Sequence, residues 1–540
     1  MANMDSMHSL SAGNTSLLAG LPNELLRDVS AHLPEEDLLE FCRVDKRCNS
    51  QGVLEFLYRS GRHPDDLLSS DLGVVPLCRL WDREHRTLLH GLGVSLGPGT
   101  CQGFTTALES ADAARLVRGW VRRFPTVKDV HIQVGSVYHA REPMFFKELA
   151  GLLRILAGER CERLVWEEEG ETGAREAQPY GLVAPTGEEW RAYSIAHYGK
   201  EHPEHPYSAV DVPHDTNDPV PSWYLDDAPH MITLQHVKVT TPTLFMRPFN
   251  FWIISSLNAS PIHTLELDFT GYYNWDSSSK SGEWFYILDY LRLPSLRKFD
   301  LRCRTVGDSY LRMFLKYNPT IEEFALYGMH MQLQLDLRDT PPEAIQMLSG
   351  TARAVEGVLN PSHFQTKNSF PNLRRVFIQQ ADLDGREDLQ RALSALGLLS
   401  EDPSTPKNVT LALDFLDVAK CSQFIGRSAS ANANAGQVVV FPEPYLTCMT
   451  RLEVTFPKGE NFREEEGRNL FESVATWLGK FTNIEEVSLG LYMSGGTMLA
   501  TKDEEKVVKG ILEHAPRVKR AKVTHEGEMR SMDEWRVLYS

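Results

Sequence analysis

Four histidines lie close together in the chain, at His197, His202, His205 and His214. Several carboxylates lie among them, and imidazole nitrogens with carboxylate oxygens are suitable ligands for zinc or a related ion. The segment is rich in proline, however, and its histidines lack the regular helical or strand spacing that brings metal ligands together. A solvated histidine-rich loop is the simpler interpretation, so we predict no metal site and no cofactor.

The sequence offers few other residues for chemistry. Gly91, Gly93 and Gly97 are spaced somewhat like a phosphate-binding loop, but no strand–turn–helix context with a later acidic residue accompanies them. The chain contains neither a Walker-type Gly-x-x-x-x-Gly-Lys nor a His-Glu-x-x-His motif. Members of a catalytic triad can be distant along a chain, which leaves an enzyme open as an alternative. Nothing points to one, and we predict that the protein is not an enzyme.

The composition is that of a folded protein with several domains or an elongated repeat structure. Of 540 residues, 42% are hydrophobic and 24% are charged. The 56 Lys and Arg against 73 Asp and Glu give a net charge of −17, so we expect no nucleic-acid partner. No apolar run is long enough to span a bilayer, and no membrane partner is expected. The scattered cysteines and the polar N-terminus predict an intracellular protein, in the cytoplasm, the nucleus or both.

The first sixty residues predict three short helices after a disordered tail, residues 1–19. Pro22 suits the first turn of a helix, because its missing N–H would have had no partner there. Apolar residues then follow at helical spacing on one side, at Leu25, Leu26, Val29 and Leu33. Pro34 ends this helix, a second is predicted over 36–42, and a third follows Asp45. Helices this short cannot bury all of their leucines among themselves, which indicates docking to another protein.

This segment resembles the F-box, a helical module that in its family binds the Skp adaptor of a cullin–RING ubiquitin ligase. The resemblance covers residues 20–60 and is carried by Leu21-Pro22-x-Glu24-Leu25-Leu26, Val29, Leu33, Asp37-Leu38-Leu39 and Val44-x-Lys46-Arg47. It implies that nine residues form or support the adaptor contact: Leu21, Pro22, Leu25, Val29, Leu33, Pro34, Leu38, Leu39 and Val44. Cys48 stands where the family often has Trp or Phe. The alternative is an ordinary helical hairpin at the start of a larger domain.

A short pattern, apolar-x-x-apolar-x-apolar, recurs through the rest of the chain. Its ten occurrences are Val127/Val130/Ile132, Cys161/Leu164/Trp166, Leu234/Val237/Val239, Ile262/Leu265/Leu267, Leu296/Phe299/Leu301, Ile321/Phe324/Leu326, Leu373/Val376/Ile378, Met449/Leu452/Val454, Ile484/Val487/Leu489 and Val518/Ala521/Val523. Several are preceded by helix-like segments, and alternating helices and short strands favour a parallel sheet. The units resemble leucine-rich repeats of the helical type, although they lack the Asn or Cys that this family places after the strand.

The predicted fold class is therefore α/β, with a small three-helix F-box followed by an irregular leucine-rich-repeat-like solenoid that has a parallel sheet. The predicted domains are the F-box at 20–60, a helical linker region at 61–115 and the repeat-like domain at 116–540. Segments dense in Pro, Gly or small residues predict insertions near 167–227 and 400–444. A generic α/β domain with parallel strands is the alternative.

These resemblances imply a non-catalytic substrate receptor of a Skp–cullin–F-box ubiquitin ligase, which binds a Skp-family adaptor, and a cullin through it, by the F-box. The repeats would bind a protein target on the sheet face opposite the buried positions. We predict Arg302, Tyr327, Arg375 and Phe377 as target contacts, because aromatic and arginine side chains dominate interface energies. If a loop covers this face, the two aromatic residues belong to the core. Two rival functions stay open, an adaptor-binding protein without a ligase role and an enzyme built on the C-terminal region.

Overall fold

The structure is a computed structural model, and it divides into two compact units, Met1–Ser260 and Pro261–Ser540. The predicted repeat-like region of residues 116–540 is thus divided between the two units. The structure describes residues 21–34, 37–38, 41, 48, 51–52, 55, 59, 93–97, 100–108, 111–122, 127–134, 143–158, 161–168, 195, 228–245, 249–270, 287–303, 306–328, 335, 337, 343–359, 370–380, 386–400, 408–415, 448–455, 474, 477–478, 481, 483–491, 501–524 and 529–539. Within these ranges, no helix is both long and apolar enough to cross a membrane.

The first unit contains a helix near the N-terminus and a mainly parallel sheet with further helices. In chain order its elements are α1 (Asn23–His32), β1 (Gly93–Gly97), β2 (Thr100–Leu108), α2 (Ala111–Val121), β3 (Val127–Val134), α3 (Pro143–Gly158), β4 (Arg163–Glu168), β5 (His236–Val239), a 3-10 turn (Pro242–Phe245) and α4 (Asn250–Ala259). Strands β2 to β5 pair in parallel and in chain order, and β1 pairs antiparallel with β2.

The second unit repeats the alternation of strands and helices. Its elements are β6 (Thr264–Asp268), α5 (Ile287–Tyr290), β7 (Lys298–Arg302), α6 (Asp308–Tyr317), β8 (Glu323–Tyr327), β9 (Met347–Gly350), α7 (Ala352–Leu359), β10 (Arg375–Gln380), α8 (Arg386–Ser400), β11 (Val409–Phe415), β12 (Met449–Thr455), β13 (Glu486–Leu491), α9 (Thr501–His514), β14 (Arg520–Thr524), β15 (Arg530–Ser531) and α10 (Met532–Tyr539). Strands β6 to β14 are parallel neighbours in chain order, and β15 pairs antiparallel with β14. The predicted α/β class with a mainly parallel sheet is confirmed.

The recurrent apolar pattern forms the core of both units. All ten occurrences lie in strands or directly before them, and their thirty apolar side chains are at most 6% exposed. Helices pack on this apolar face: the Phe299 ring of β7 lies 4.4 Å from the Phe314 ring of α6, between ring centroids. Because strand side chains alternate, the residues between the apolar positions lie on the other face of the sheet.

Hydrogen bonds between neighbouring strands begin one residue before the strands themselves. The residue after the first apolar position donates its N–H to the carbonyl of the equivalent residue one strand earlier, as in Glu162 to Lys128, Glu322 to Arg297, Arg374 to Gln346 and Lys519 to Glu485. In two units, the side chain of the residue directly before the first apolar position adds a further hydrogen bond. Thr320 Oγ1 donates to the Leu296 carbonyl at 2.9 Å, and Thr233 Oγ1 donates to the Cys161 carbonyl at 2.8 Å. The same bonds therefore hold successive units in register.

Three predicted boundaries differ from the structure. Residues 93–97 and 100–108, predicted within the helical linker 61–115, form the antiparallel pair β1–β2. Gly103 and the buried but polar Thr106 interrupt the apolar alternation by which a strand is recognised in sequence. Residues 409–415, predicted within the insertion 400–444, form β11, which lies between β10 and β12. The predicted insertion 167–227 begins later than expected, since Glu167 and Glu168 belong to β4.

Candidate docking surfaces

Helix α1 has the bounds that its prolines predict. It begins directly after Pro22 and ends before Leu33, whose backbone is extended at φ −73° and ψ 138°. A residue that precedes a proline is disfavoured in the helical conformation, which explains the end before Pro34. The Pro22 carbonyl accepts a hydrogen bond from the Leu26 N–H at 3.1 Å, and the Pro34 carbonyl accepts one from the Leu38 N–H at 2.8 Å. The structure has a helix at Asn23–His32, and the chain is helical again at the described residues 37, 38 and 41.

A small apolar cluster joins α1 to the helical residues that follow it. Its buried members are Leu26, Leu38, Phe41 and Cys48. Arg59, also helical, donates hydrogen bonds to the carbonyls of Ser30 at 2.9 Å, Ala31 at 3.0 Å and Leu33 at 2.7 Å. The last carbonyls of a helix lack helical partners and form the negative end of its dipole, so a cation stabilises this end of α1. We call the described residues from Leu21 to Arg59 the helical module.

The nine residues predicted to form or support the adaptor contact differ in exposure. Leu25 is 47% exposed, and Pro22 and Pro34 are also exposed. Leu21, Val29 and Leu33 are partly buried against the apolar cluster, and Leu38 lies inside it. Leu39 and Val44 lie outside the described residues. The prediction that Leu25 and Leu26 share one side of the helix is wrong, because successive residues point about 100° apart around an α-helix and the cluster faces Leu26.

The second candidate is the sheet face of the second unit that lies opposite its apolar core. In the register of the sheet, its first row contains Thr264, Lys298, Glu323, Met347, Arg375, Thr410, Arg451, Glu486 and Arg520. The next row contains Glu266, Asp300, Ala325, Ser349, Phe377, Ala412, Glu453, Ser488 and Lys522. We call these rows, with the residues that continue them toward the strand ends, the strand face.

The four predicted target contacts lie on the strand face as two pairs. Arg302 and Tyr327 are register partners on β7 and β8, and the Arg302 guanidinium carbon lies 4.8 Å from the centroid of the Tyr327 ring. Arg375 and Phe377 lie on β10, two strands from Tyr327, which is about 10 Å across the sheet. Both aromatic side chains are half-buried, so neither belongs wholly to the core. Burial raises the pKa of the Tyr327 phenol above its ordinary value.

Both predicted arginines already contact a carboxylate of this chain. Arg302 pairs with Asp300 at 3.2 Å, and Arg375 Nη2 donates to Glu453 Oε2 at 2.6 Å. Desolvation raises the pKa of the Asp300 carboxyl, although the hydrogen bond from Arg302 lowers it. An acidic group on a partner would have to compete with these internal pairs.

A polar cluster on the sheet of the first unit was not predicted from the sequence. Glu167, which the sequence predicts at the start of the insertion 167–227, lies in β4, where its Oε1 accepts a hydrogen bond from Lys238 Nζ of β5 at 2.5 Å. Its other oxygen, Oε2, lies 2.9 Å from His131 Nε2 of β3. Burial raises the pKa of Glu167, but the bonds from Lys238 and His131 outweigh burial and hold this pKa below its ordinary value. The three residues are far apart in the chain, and only the pairing of strands brings them together.

The residues considered for metal or catalytic chemistry give no assembled site in the described chain. Within the described ranges, no three His, Cys, Asp or Glu side chains form a group that could hold a metal ion, and the four histidines of the predicted loop lie outside those ranges. Residues 93–97 match the Gly-x-Ser-x-Gly nucleophile motif, which was not among the motifs predicted from the sequence. They form strand β1, paired antiparallel with β2, whereas the motif acts at a strand-to-helix turn.

Two surfaces are therefore candidates for protein docking, the helical module around Leu25 and the strand face around Phe377. Each places an apolar side chain among polar ones, as protein interfaces do. No protein-family model matches the sequence, and comparison with curated proteins gives no match either.

Proposed function

We propose that this chain is a non-catalytic substrate receptor of a Skp–cullin–F-box ubiquitin ligase. The helical module docks a Skp-family adaptor, and through it a cullin, while the strand face holds a protein target. The chain breaks and forms no bonds itself. Its contribution is to raise the effective concentration of the target near the catalytic subunits of the ligase.

The observation that carries the proposal is the exposure of Leu25 within a segment that resembles the F-box. Leu26 fills the core of the module with Leu38, Phe41 and Cys48, whereas Leu25 points away from it. The residue available for docking is therefore distinct from those that hold the module together. Complete burial of a leucine side chain against a partner contributes about 1.5–3 kcal/mol, enough for one residue to decide whether docking occurs.

The strand face supports the second half of the proposal. It extends over nine parallel strands, β6 to β14, and carries the two half-buried aromatic side chains Tyr327 and Phe377 among charged residues. Aromatic anchors inside a polar rim are the usual composition of the energetically important part of an interface.

The test is co-purification of the full chain with a Skp-family adaptor. We expect Leu25→Asp to abolish co-purification, because a carboxylate would lose its hydration at an apolar interface without gaining a partner. The matched control is Leu538→Asp, which makes the same replacement at an exposed leucine of α10, outside the helical module. Circular dichroism of each variant checks that the fold is retained.

Unchanged co-purification of a folded Leu25→Asp variant would remove the F-box proposal. If the adaptor binds in a Leu25-dependent way but no ubiquitination of any bound protein follows in a reconstituted ligase, the chain is an adaptor-binding protein without a ligase role.

A further inference from the structure

Charge is unevenly distributed over the strand face. On β6 to β8, the strand face carries two cations, Lys298 and Arg302. It also carries four acids, Glu266, Asp268, Asp300 and Glu323. On β10 to β14, the strand face carries four cations and three acids. The cations are Arg375, Arg451, Arg520 and Lys522, and the acids are Asp414, Glu453 and Glu486. The β10–β14 part is thus locally basic in a chain whose net charge is −17.

Two cations of this part, Arg451 and Lys522, make no hydrogen bond to the described residues. Glu453 accepts a bond from Arg375 at 2.6 Å, and Glu486 accepts one from Arg520 at 3.1 Å. Arg451 lies between these two acids, but its Nε approaches Glu453 at 3.2 Å without hydrogen-bond geometry, and its Nη1 is 3.9 Å from Glu486.

The Arg451 side chain is 43% exposed, and the described residues offer no bonding partner to the ammonium group of Lys522. Lys522 can therefore donate to an external carboxylate without breaking a bond of this chain. Arg451, which is ion-paired with Glu453 and Glu486, can donate to one without breaking a hydrogen bond. Asp414 is the acid of this region that no described cation pairs with, and burial raises its pKa.

Phe377 gives the same region an apolar anchor point. Its register neighbours are Ser349 on β9 and Ala412 on β11, which are both small and buried. Because these two neighbours are buried, the half-buried Phe377 ring is the apolar side chain that these three strands leave open to a partner in this row. Exclusion of water from such a contact is what makes an aromatic residue an interface anchor.

The spacing of these three residues matches one kind of extended chain. Phe377 and Lys522 lie in one row of the strand face, four strands and about 19 Å apart across the sheet. Arg451 lies on the strand midway between them, about 10 Å across the sheet from each, in the neighbouring row, and its side chain is turned toward Glu453 of the Phe377 row. A polyproline-II segment rises about 3.1 Å per residue and repeats every three residues, so side chains three apart point the same way about 9 Å apart. A segment that crosses the strands in this conformation presents one side chain to every second strand.

We infer that the β10–β14 part of the strand face binds an extended acidic segment of the protein target. An apolar side chain of that segment contacts Phe377, a carboxylate three residues later bonds Arg451, and one six residues later bonds Lys522. The inference rests on the proposed function, because it specifies the chemistry of the target that the strand face holds.

The test uses the full chain and short fluorescent peptides in a Pro- and Ser-rich background. One peptide carries Leu followed by Glu three and six residues later; a second has Lys at the same places. We expect the Glu peptide to bind about 10-fold more tightly than the Lys peptide in an anisotropy titration, with weaker binding at high salt. Arg451→Glu should reverse this preference. Lys509→Glu is the matched control, since it reverses the charge of an exposed lysine on α9, outside the strand face, and it should leave both affinities unchanged.

Equal affinities for the two peptides would overturn the inference, as would an unchanged preference in a folded Arg451→Glu variant. Lys522→Glu provides a second variant if Arg451→Glu fails to fold, and it should also reduce the preference for the Glu peptide. Adaptor co-purification is measured on the same preparations. Adaptor binding with equal peptide affinities overturns only this inference, whereas peptide selectivity without adaptor binding overturns only the adaptor part of the proposed function.

Discussion

Neighbouring residues of the same type have opposite roles in α1. Leu25 and Leu26 both fit the helical spacing of apolar residues, yet only Leu26 enters the core of the module. The sequence could not separate them, because the apolar stripe of a helix is wide enough to include both. The direction of burial is decided by Leu38, Phe41 and Cys48, which lie in later segments of the chain.

For charged side chains, the sequence predicts the face of the sheet but not the internal partner. The alternation of strand side chains placed Arg302, Arg375, Tyr327 and Phe377 on one face, and the register of the sheet agrees. The internal partners of the two arginines, Asp300 and Glu453, could not be chosen from the sequence. Glu453 lies two strands and 78 positions away from Arg375.

The Glu167 cluster of the first unit predicts a pH-dependent contribution to stability. The folded-state pKa of Glu167 lies below the ordinary value of 4.5, so its ionised form stabilises the fold above that pH. The stabilisation is lost as pH falls through the lower, folded-state pKa. We expect Glu167→Gln to lower the urea midpoint of unfolding at neutral pH, and the difference from the unchanged chain to shrink as the pH is lowered below 4.5.

The control for this prediction is Glu162→Gln. Glu162 pairs with Lys128 at 3.2 Å, but the two side chains are 39% and 54% exposed, and pairs this exposed contribute about 0–1 kcal/mol. A difference between the Glu167→Gln variant and the unchanged chain that stays constant with pH would show that the carboxylate charge is not its origin.

At the scale of elements, the apolar pattern located ten of the twelve strands that run from β3 to β14. It missed β9, where Gly350 occupies the third apolar position after Ile345 and Leu348. It also missed β11, where the register shifts between Val409 and Thr410, so that the strand lacks one residue between its first two apolar positions. Both strands are buried like the others, but their sequences do not match the apolar pattern. Close packing and a shift in register both depend on the neighbouring strand, so neither can be predicted from the strand's own sequence.

The position of Gly350 leads to a prediction about packing. A Cβ atom at Gly350 would overlap the carbonyl oxygen of Leu326 on β8, whereas one at Gly490 of β13 would come no nearer than 3.6 Å to Thr455. We expect Gly350→Ala to lower the free energy of unfolding by about 1–3 kcal/mol through overpacking. Gly490→Ala, a matched change in another strand of the same unit, should stay within about 0.5 kcal/mol. Equal urea midpoints for the two variants would show that β8 and β9 are not this close.

At the scale of the whole molecule, the two candidate surfaces belong to different units of the chain. Leu25 lies in Met1–Ser260, and Phe377 and Arg451 lie in Pro261–Ser540. They share no hydrogen-bond partner in the described chain, and substitutions at sites without shared partners usually have additive effects. Adaptor docking and target capture should therefore be lost independently.

This independence gives a test of the receptor role with a surrogate target. A reporter protein fused to the Glu peptide is incubated with the full chain, a Skp-family adaptor, a cullin and the ubiquitination enzymes, and its modification is followed over time. We expect Leu25→Asp to abolish modification while the reporter still binds, because the target is no longer held near the catalytic subunits. Arg451→Glu should abolish modification while the adaptor still binds, and Lys509→Glu should leave both modification and adaptor binding unchanged. Modification that persists in the Leu25→Asp variant would mean that the reporter reaches the ligase without this chain, and the receptor role would then be wrong.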